Sequence, residues 1–308
     1  MGKIQAFIFG AGFGERLLPL TAERPKVTVP VLAKPNIFYI IENLCSIGVT
    51  DFIINTHHKA DTLKAIVGDG RRWNVSITYS DEAAILETGG GLKHAERYIT
   101  AETFIAYNGD IFCDVDLSKA LAFHAERNAI ATMVVSPHYS PRQLHIGRLG
   151  NLKDIRAMRH YHSTPPTHTF LGIHLFNREI FSYLPEKKSS IINTYMKLLE
   201  SNKPVFIWEL DSEYWYDIGS IDVYKKLHAD FFNHYPSQLK ARDTIYNTDN
   251  SRYGGYISVA ENVLIEDDVS LKNVIIWENA VIKAGSVLDN VIVRNDTVVT
   301  GNHTNVIL

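Results

Sequence analysis

Long apolar runs are absent from this chain of 308 residues: no stretch approaches the about 18 consecutive apolar residues that a membrane-spanning helix needs. A helical membrane protein is therefore not expected. Charge of one sign is also lacking, since 31 Lys and Arg stand against 34 Asp and Glu for a net charge of −3. That balance offers no sequence-independent grip on nucleic acid or another polyanion, so any anion must be held by a local cluster. Cysteine is scarce. Cys45 and Cys113 lie in apolar surroundings, which argues against a disulfide framework or a cysteine metal site and for small core residues. Nothing at the N-terminus resembles a signal peptide, and the expected location is the cytoplasm.

What is present in the first half is alternation. "IQAFIF" (4–9), "DFIINT" (51–56), "VSITYS" (75–80) and "TFIAYN" (103–108) are short apolar runs with β-branched or aromatic content. Between them lie the helical patterns "NIFYIIENLCSIG", "KADTLKAIVGDG" and "GGGLKHAERYI". Strand, helix and strand in repetition predict a mainly parallel, Rossmann-like α/β sheet with helices on both faces, and ligands bound beyond the carboxyl ends of its strands. After Asp110 come the longer runs "ATMVVS", "LHIGRLG" and "HTFLGIHLF", read as a substrate lid added to the same sheet, then the helices "SSIINTYMKLLE" and "IDVYKKLHADFFNHY".

The last part reads differently. Ile257, Val263, Val269, Ile275, Val281, Val287, Val293 and Val299 recur every six residues among Asn, Asp, Glu, Gly, Ser and Thr. A hexapeptide period predicts a left-handed parallel β-helix with these aliphatics stacked inside. The domain division expected is a catalytic domain over 1–235, a linker over 236–250 and the repeat over 251–308.

"GAGFGERLLPLTAERPKVTVPV" (10–31) follows the first strand with three glycines and three cations, Arg16, Arg24 and Lys26. A dinucleotide-binding loop needs a third glycine where Glu15 and Arg16 stand, and an acidic residue ending a second strand that here ends "NTHH". A Walker loop needs a Gly-Lys-Ser/Thr that does not follow. What remains is a glycine turn whose prolines forbid a continuing helix and hold Lys26 back toward the glycines. Backbone donors, an arginine fork and a lysine point charge together make a cradle for a triphosphate. "GAGFGERLLPLTAERPK" resembles the signature of the sugar-1-phosphate nucleotidylyltransferases, and the resemblance covers residues 3 to 230.

The resemblance implies a nucleotide-diphospho-sugar transferase fold and a site. Gly10, Ala11, Gly12, Gly14, Glu15, Arg16 and Glu82 would serve the nucleotide, with Thr88, Gly89 and Gly90 of "LETGGGL" receiving base and ribose and Glu87 standing where a glycine is more usual. Asp110 of "NGD" and Asp217 of "WYDIGSIDVY" would hold the catalytic Mg2+. Arg16, Lys26 and Asp110 would be catalytic, and Gly147 and Gly172 would line the sugar pocket. Many relatives carry E-K-P before the sugar-pocket strand, where this chain has "AMRHYHSTPPTHTF". The contact to the sugar phosphate would then pass to Arg159, His160, His162 or His168. The substrates implied are a nucleoside triphosphate and a sugar 1-phosphate, with mannose-1-phosphate guanylyl transfer first. The alternatives are uridylyl transfer to N-acetylmuramate 1-phosphate or glucose 1-phosphate, a hexapeptide-repeat acyltransferase, or a regulator that binds nucleotide sugar without turnover. No nucleic-acid or membrane partner is expected, and the β-helix is expected to mediate a homo-oligomer.

Overall fold

The computed structural model describes residues 3–147, 150–156, 158–159, 165–210, 212–235 and 252–308. It divides into two units, one formed by 1–13 with 39–215 and the other by 14–38 with 216–308. The expected linker over 236–250 lies outside the described residues, as do His160 and His162.

The first unit is built on one seven-stranded sheet. Its strands are β1 (Ile4–Phe9), β2 (Asp51–Thr56), β3 (Ser76–Asp81), β4 (Thr103–Asn108), β5 (Ala131–Ser136), β6 (Thr169–Asn177) and β7 (Val205–Glu209), in the spatial order β7-β5-β6-β4-β1-β2-β3. Only β6 runs antiparallel to its neighbours. Helices α1 (Asn36–Ser46), α2 (Ala60–Val67) and α3 (Glu87–His94) connect β1 through β4, while α4 (Ser118–Glu126) and α5 (Ile191–Glu200) follow β4 and β6. The parallel strands are covered on both faces, so β1 buries Ala6, Phe7 and Ile8 in succession rather than alternating. Phe7, Leu92, Phe104, Met133, Phe176 and Tyr195 share one core cluster.

The mixed, mainly parallel sheet expected from the alternation is present, and α4 and β7 are among the elements that it did not announce. The run "SKALAFHAE" forms α4, a nine-residue helix whose buried face is only Ala120, Leu121 and His124. "VFIWE" forms β7, a sheet edge that buries Val205 and Ile207 and leaves Phe206 and Trp208 half-buried. Both have short, mixed apolar patterns that carry little periodic signal. Of the expected lid strands, 131–136 and 169–177 join the sheet, whereas Leu144–Ile146 pairs with Leu152–Ile155 in a separate two-stranded ribbon.

In the second unit, α6 (Ile221–His234) precedes a run of short parallel strands. The pairings Val259↔Ile276 and Ile276↔Val293 advance 17 residues per coil, as do Ile265↔Ile282 and Ile282↔Val299. The interior cluster follows this period through Val259, Ile276, Val293, Leu271, Leu288, Ile282 and Val299. A strict six-residue register is therefore wrong. One hexad in three is shortened, so Val281 is only half-buried, Val287 is 43% exposed, and Ile275 lies outside the interior cluster. The polar positions make the corners. Asn262, Asn279 and Asp296 take φ of 60°, 58° and 57°, a region in which Asn and Asp are enriched. Their side chains form a ladder, Asn262 Nδ2 to Asn279 Oδ1 (3.3 Å) and Asn279 Nδ2 to Asp296 Oδ1 (3.1 Å).

Three of the buried histidines, His124, His174 and His228, face little but neutral partners. Burial pushes His124 and His228 down to about 4 and His174 to about 3. The unfolded chain binds protons below about 6.5 that the native histidines refuse, so stability falls as pH falls from about 6.5 toward 4, by up to about 1.4 kcal/mol per pH unit for each. Urea midpoints measured at steps between pH 7.5 and 4.5 check this: a steady decline below pH 6.5 is expected, and a flat profile would contradict it.

Candidate active site

Asn55, Phe9 and Asn108 lie in one register row across β2, β1 and β4, at the carboxyl edge of the sheet. Each chain leaves the sheet there, and the three departures are tied together. The Gly10 amide donates to Asn55 Oδ1 at 2.7 Å, and the Gly109 amide donates to the Phe9 carbonyl at 3.1 Å. Asp110, half-buried, is thereby held beside the start of the glycine loop. Asn55 Nδ2 donates at 2.7 Å to Oε1 of the buried Glu82, whose Oε2 accepts from the Leu86 amide at 2.9 Å.

The Gly10 N–H is held by Asn55 and each Glu82 oxygen accepts one hydrogen bond within the chain, so both residues help to fix the loop. Gly10 is required for close approach, since a Cβ there would lie 2.7 Å from the Asn55 carbonyl oxygen. Ala11 and Gly12 follow as the next amides, with open space at Gly12. Asn55 was missed by sequence reasoning. The polar "NT" ending an otherwise apolar β2 was the available signal.

"LETGGGL" is the start of α3, not an open loop. The amides of Gly89 and Gly90 both donate to the Ser189 carbonyl (2.7 and 3.1 Å), and Thr88 Oγ1 accepts from the first amide of α5, Ile191, at 2.9 Å. Gly89 and Gly90 are there for packing, because a Cβ on Gly90 would sit 2.6 Å from the Lys187 carbonyl oxygen. Glu87, where a glycine was anticipated, holds φ at 59°.

A cavity of about 250 Å³ lies within this unit, lined by Thr88, Asn108, Gln143, Arg156, His174 and Tyr195 among others. Neither expected sugar-pocket glycine lines it. Gly147 closes a turn in which its amide donates to the Asn151 carbonyl (2.8 Å) and its carbonyl accepts from the Gly150 amide (3.0 Å). Gly172 holds φ at 83° where a Cβ would collide with Ile111 at 2.6 Å. Arg159 is exposed, with its amide donating to Asp154 Oδ1 (3.0 Å), and His168 Nε2 is 3.0 Å from Glu209 Oε1. Neither reaches the cavity lining. The cation that lines the cavity among the described residues is Arg156, immediately after the strand Leu152–Ile155, with φ at 53° and its Nε donating to Gln143 Oε1 at 3.1 Å.

The second unit gathers the other charged residues. Gly14 holds φ at 69°, and a Cβ on it would lie 3.2 Å from the Lys26 Cβ, so the chain does fold Lys26 back onto the glycine loop. Two short 3-10 turns, Glu15–Leu17 and Lys26–Thr28, replace the helix that the prolines forbid. Lys26 Nζ lies 3.8 Å from Asp217 Oδ1. A Cβ on Gly219 would be 3.0 Å from Arg16 Nη2 and 3.2 Å from Asp217 Oδ1, so the bare backbone of Gly219 is what lets the Arg16 guanidinium lie beside Asp217. Exposed Glu15 begins the first turn. Among the described residues no group of three or more His, Cys, Asp or Glu forms a metal site, and no helix is long and apolar enough to cross a membrane.

The nucleotidyl transferase family matches residues 5–233. The chain belongs to that family. A UTP–glucose-1-phosphate uridylyltransferase of Synechocystis is 27% identical over 326 residues, covering 94% of this chain and 82% of that protein. A mannose-1-phosphate guanylyltransferase of Mycobacterium tuberculosis is 26% identical over 233 residues, covering 74% of this chain and 64% of that protein. The chain thus spans just under two thirds of the length of the guanylyltransferase. The crystal structure of HddC from Yersinia pseudotuberculosis has the same fold, with a TM-score of 0.60, 24% identity, and coverage of 72% of this chain and 97% of that one. The resemblance to sugar-1-phosphate nucleotidylyltransferases read from "GAGFGERLLPLTAERPK" holds for this family member.

Proposed function

We propose that the chain joins a nucleoside triphosphate to a sugar 1-phosphate and releases pyrophosphate. The observation that carries this is the gathering of Arg16, Lys26 and Asp217 behind a glycine turn in a nucleotidyl transferase family member. A phosphate oxygen of the sugar 1-phosphate attacks the α-phosphorus, the bond to the bridging oxygen breaks, and its electron pair leaves with pyrophosphate. No general base is needed, because the attacking oxygen is already ionised. Lys26 neutralises the α-phosphate and Arg16 holds the departing pyrophosphate, so the protein works by positioning and charge stabilisation.

Asp110 and Asp217 would hold Mg2+. Carboxylate oxygens are the donors that this ion takes, one or two at a time alongside substrate phosphates. When bound, the ion supplies neutralisation of the triphosphate charge. GTP with mannose 1-phosphate is the first substrate pair, supported by the guanylyltransferase relative. UTP with glucose 1-phosphate is the second, supported by the uridylyltransferase relative. The catalytic domain is taken as 1–235, and the coils over 251–308 as a left-handed β-helix that assembles a homo-oligomer in the cytoplasm.

Arg156 takes the place of the missing lysine and binds the sugar phosphate in the cavity it lines. Arg156→Ala is expected to raise KM for the sugar 1-phosphate by about tenfold or more with KM for the nucleotide little changed, since a charge-assisted hydrogen bond to one substrate is removed. Initial rates over a grid of both substrate concentrations measure this. An unchanged sugar-phosphate KM would remove Arg156 from the site.

A further inference from the structure

Arg24 is a cation that the proposed chemistry does not use, although it stands two residues from Lys26 in the signature stretch. It is 7% exposed. Its Nη1 donates to the Thr28 carbonyl at 3.2 Å, closing the turn that carries Lys26, and to Glu278 Oε1 at 3.1 Å. Its guanidinium lies 4.8 Å from the centroid of Trp277. Trp277 and Glu278 belong to the parallel coils, so a buried charge of the loop has its counter-charge in the C-terminal repeat.

Two more tethers land on the same loop. The fully buried Trp277 donates through Nε1 to the Tyr224 hydroxyl at 3.0 Å, and that hydroxyl donates to the Pro30 carbonyl at 2.6 Å. The Leu32 amide donates to His228 Nε2 at 3.2 Å, while His228 Nδ1 faces the Tyr224 carbonyl at 2.9 Å. Leu32 and Ala33 hold φ at 46° and 75°, a conformation that β-branched or bulky residues leave unless it is held. Thr28, Pro30 and Leu32 are thus pinned at every second residue just after Lys26. At the other edge, Arg294 Nη1 reaches Glu23 Oε1 at 3.4 Å.

We infer that the C-terminal coils are a strut for the signature loop, and that Arg24, held by Glu278 and Trp277, is a positioning residue that sets Lys26 and Arg16 for the reaction. The inference rests on the function proposed above for that loop. It adds to the expectation that the repeat mediates a homo-oligomer. A buried cation whose ion pair is broken is destabilised far more than a surface one, so the loop should respond strongly to a change in a coil residue that is remote in sequence.

The test uses the full chain with Glu278→Gln, which removes the counter-charge and keeps the shape, and with Trp277→Phe, which removes the N–H and keeps an aromatic ring over Arg24. Amide hydrogen exchange is followed in the peptides covering 15–35 and in those covering 264–299, and pyrophosphate release is measured with GTP and mannose 1-phosphate and with UTP and glucose 1-phosphate. In both variants the Thr28 and Val29 amides are expected to exchange about tenfold faster or more while the coil amides keep wild-type rates. kcat is expected to fall about tenfold, with both KM values within about twofold, because a small misplacement of a catalytic cation costs rate rather than binding. Loop exchange unchanged in both variants, or a loosened loop with unchanged kcat, would overturn the strut. Coil amides that speed up as much as loop amides in both variants would also overturn it, by showing a common unfolding instead of a tether. A wild-type chain that releases no pyrophosphate with any pair would sink the proposed function, and the exchange comparison would still decide the tether on its own.

Discussion

Asp110→Asn and Asp217→Asn each lower kcat for pyrophosphate release by about a thousandfold, a loss of about 4 kcal/mol of transition-state stabilisation. Each substitution keeps the size of the side chain and deletes one of two carboxylate charges assigned to the metal. Neither carboxylate is a core group: Asp110 is half-buried and the Asp217 side chain is 47% exposed. The Asp217 pair with Lys26, at 3.8 Å and partly open to water, contributes about 1 kcal/mol or less to folding. Melting temperatures within about 3 °C of wild type are therefore expected beside the collapse in rate. A folded variant that retains near-wild-type turnover in magnesium would show that the two-aspartate assignment is wrong.

Lys26→Ala lowers kcat by about a hundredfold or more, and Lys26→Arg does not restore it. The Lys26 side chain is 13% exposed, its base packs where Gly14 has no Cβ, and its Nζ is directed toward Asp217. A compact ammonium in that confined place meets charge that shifts toward the leaving pyrophosphate during the reaction, and loss of such a group removes stabilisation made mainly in the transition state. The planar arginine fork is larger and demands different geometry, so the charge alone is not a replacement. Single-turnover rates with radiolabelled nucleotide separate the chemical step from binding. Lys26→Ala with a wild-type single-turnover rate would reduce Lys26 to a loop residue.

The parts of the fold that repeat were legible in the sequence. Alternating apolar runs and helical patterns located β1 to β4 and α1 to α3, because parallel strands buried on both faces leave unbroken apolar stretches. β7 and α4 were not legible, since an edge strand with half-exposed Phe206 and Trp208 and a helix with a narrow apolar face look like loops locally. In the coils the polar spacing was seen but the phase was not. Val281 and Val287 fit a six-residue rhythm by composition, and only the 17-residue pairing shows that the stack runs through Ile282 and Leu288.

For the site, the signature carried Arg16, Lys26 and the fold-back onto Gly14, because glycine and proline act locally. Residues that act across the chain were invisible. Asn55 holds Gly10 from 45 residues away with only the polar end of an apolar strand to mark it, and Glu278 holds Arg24 from 254 away with no local pattern at all. Gly89 and Gly90 of "TGGG" pack against the backbone of 187–190 that crosses them, and Gly91 packs against Glu82 and Asn55. That Arg156 lines the cavity was not legible, because its turn depends on a positive φ that no sequence pattern announced.

The most direct measurement is pyrophosphate release by the full chain in magnesium, with GTP, UTP, TTP, ATP and CTP each paired with mannose, glucose and N-acetylmuramate 1-phosphates. Pyrophosphate should form only when both substrates are present, with the matching nucleotide sugar appearing in equal amount and the GTP and mannose 1-phosphate pair fastest. No pyrophosphate from any pair, or pyrophosphate formed from a nucleotide without a sugar phosphate, would contradict the proposed nucleotidyl transfer.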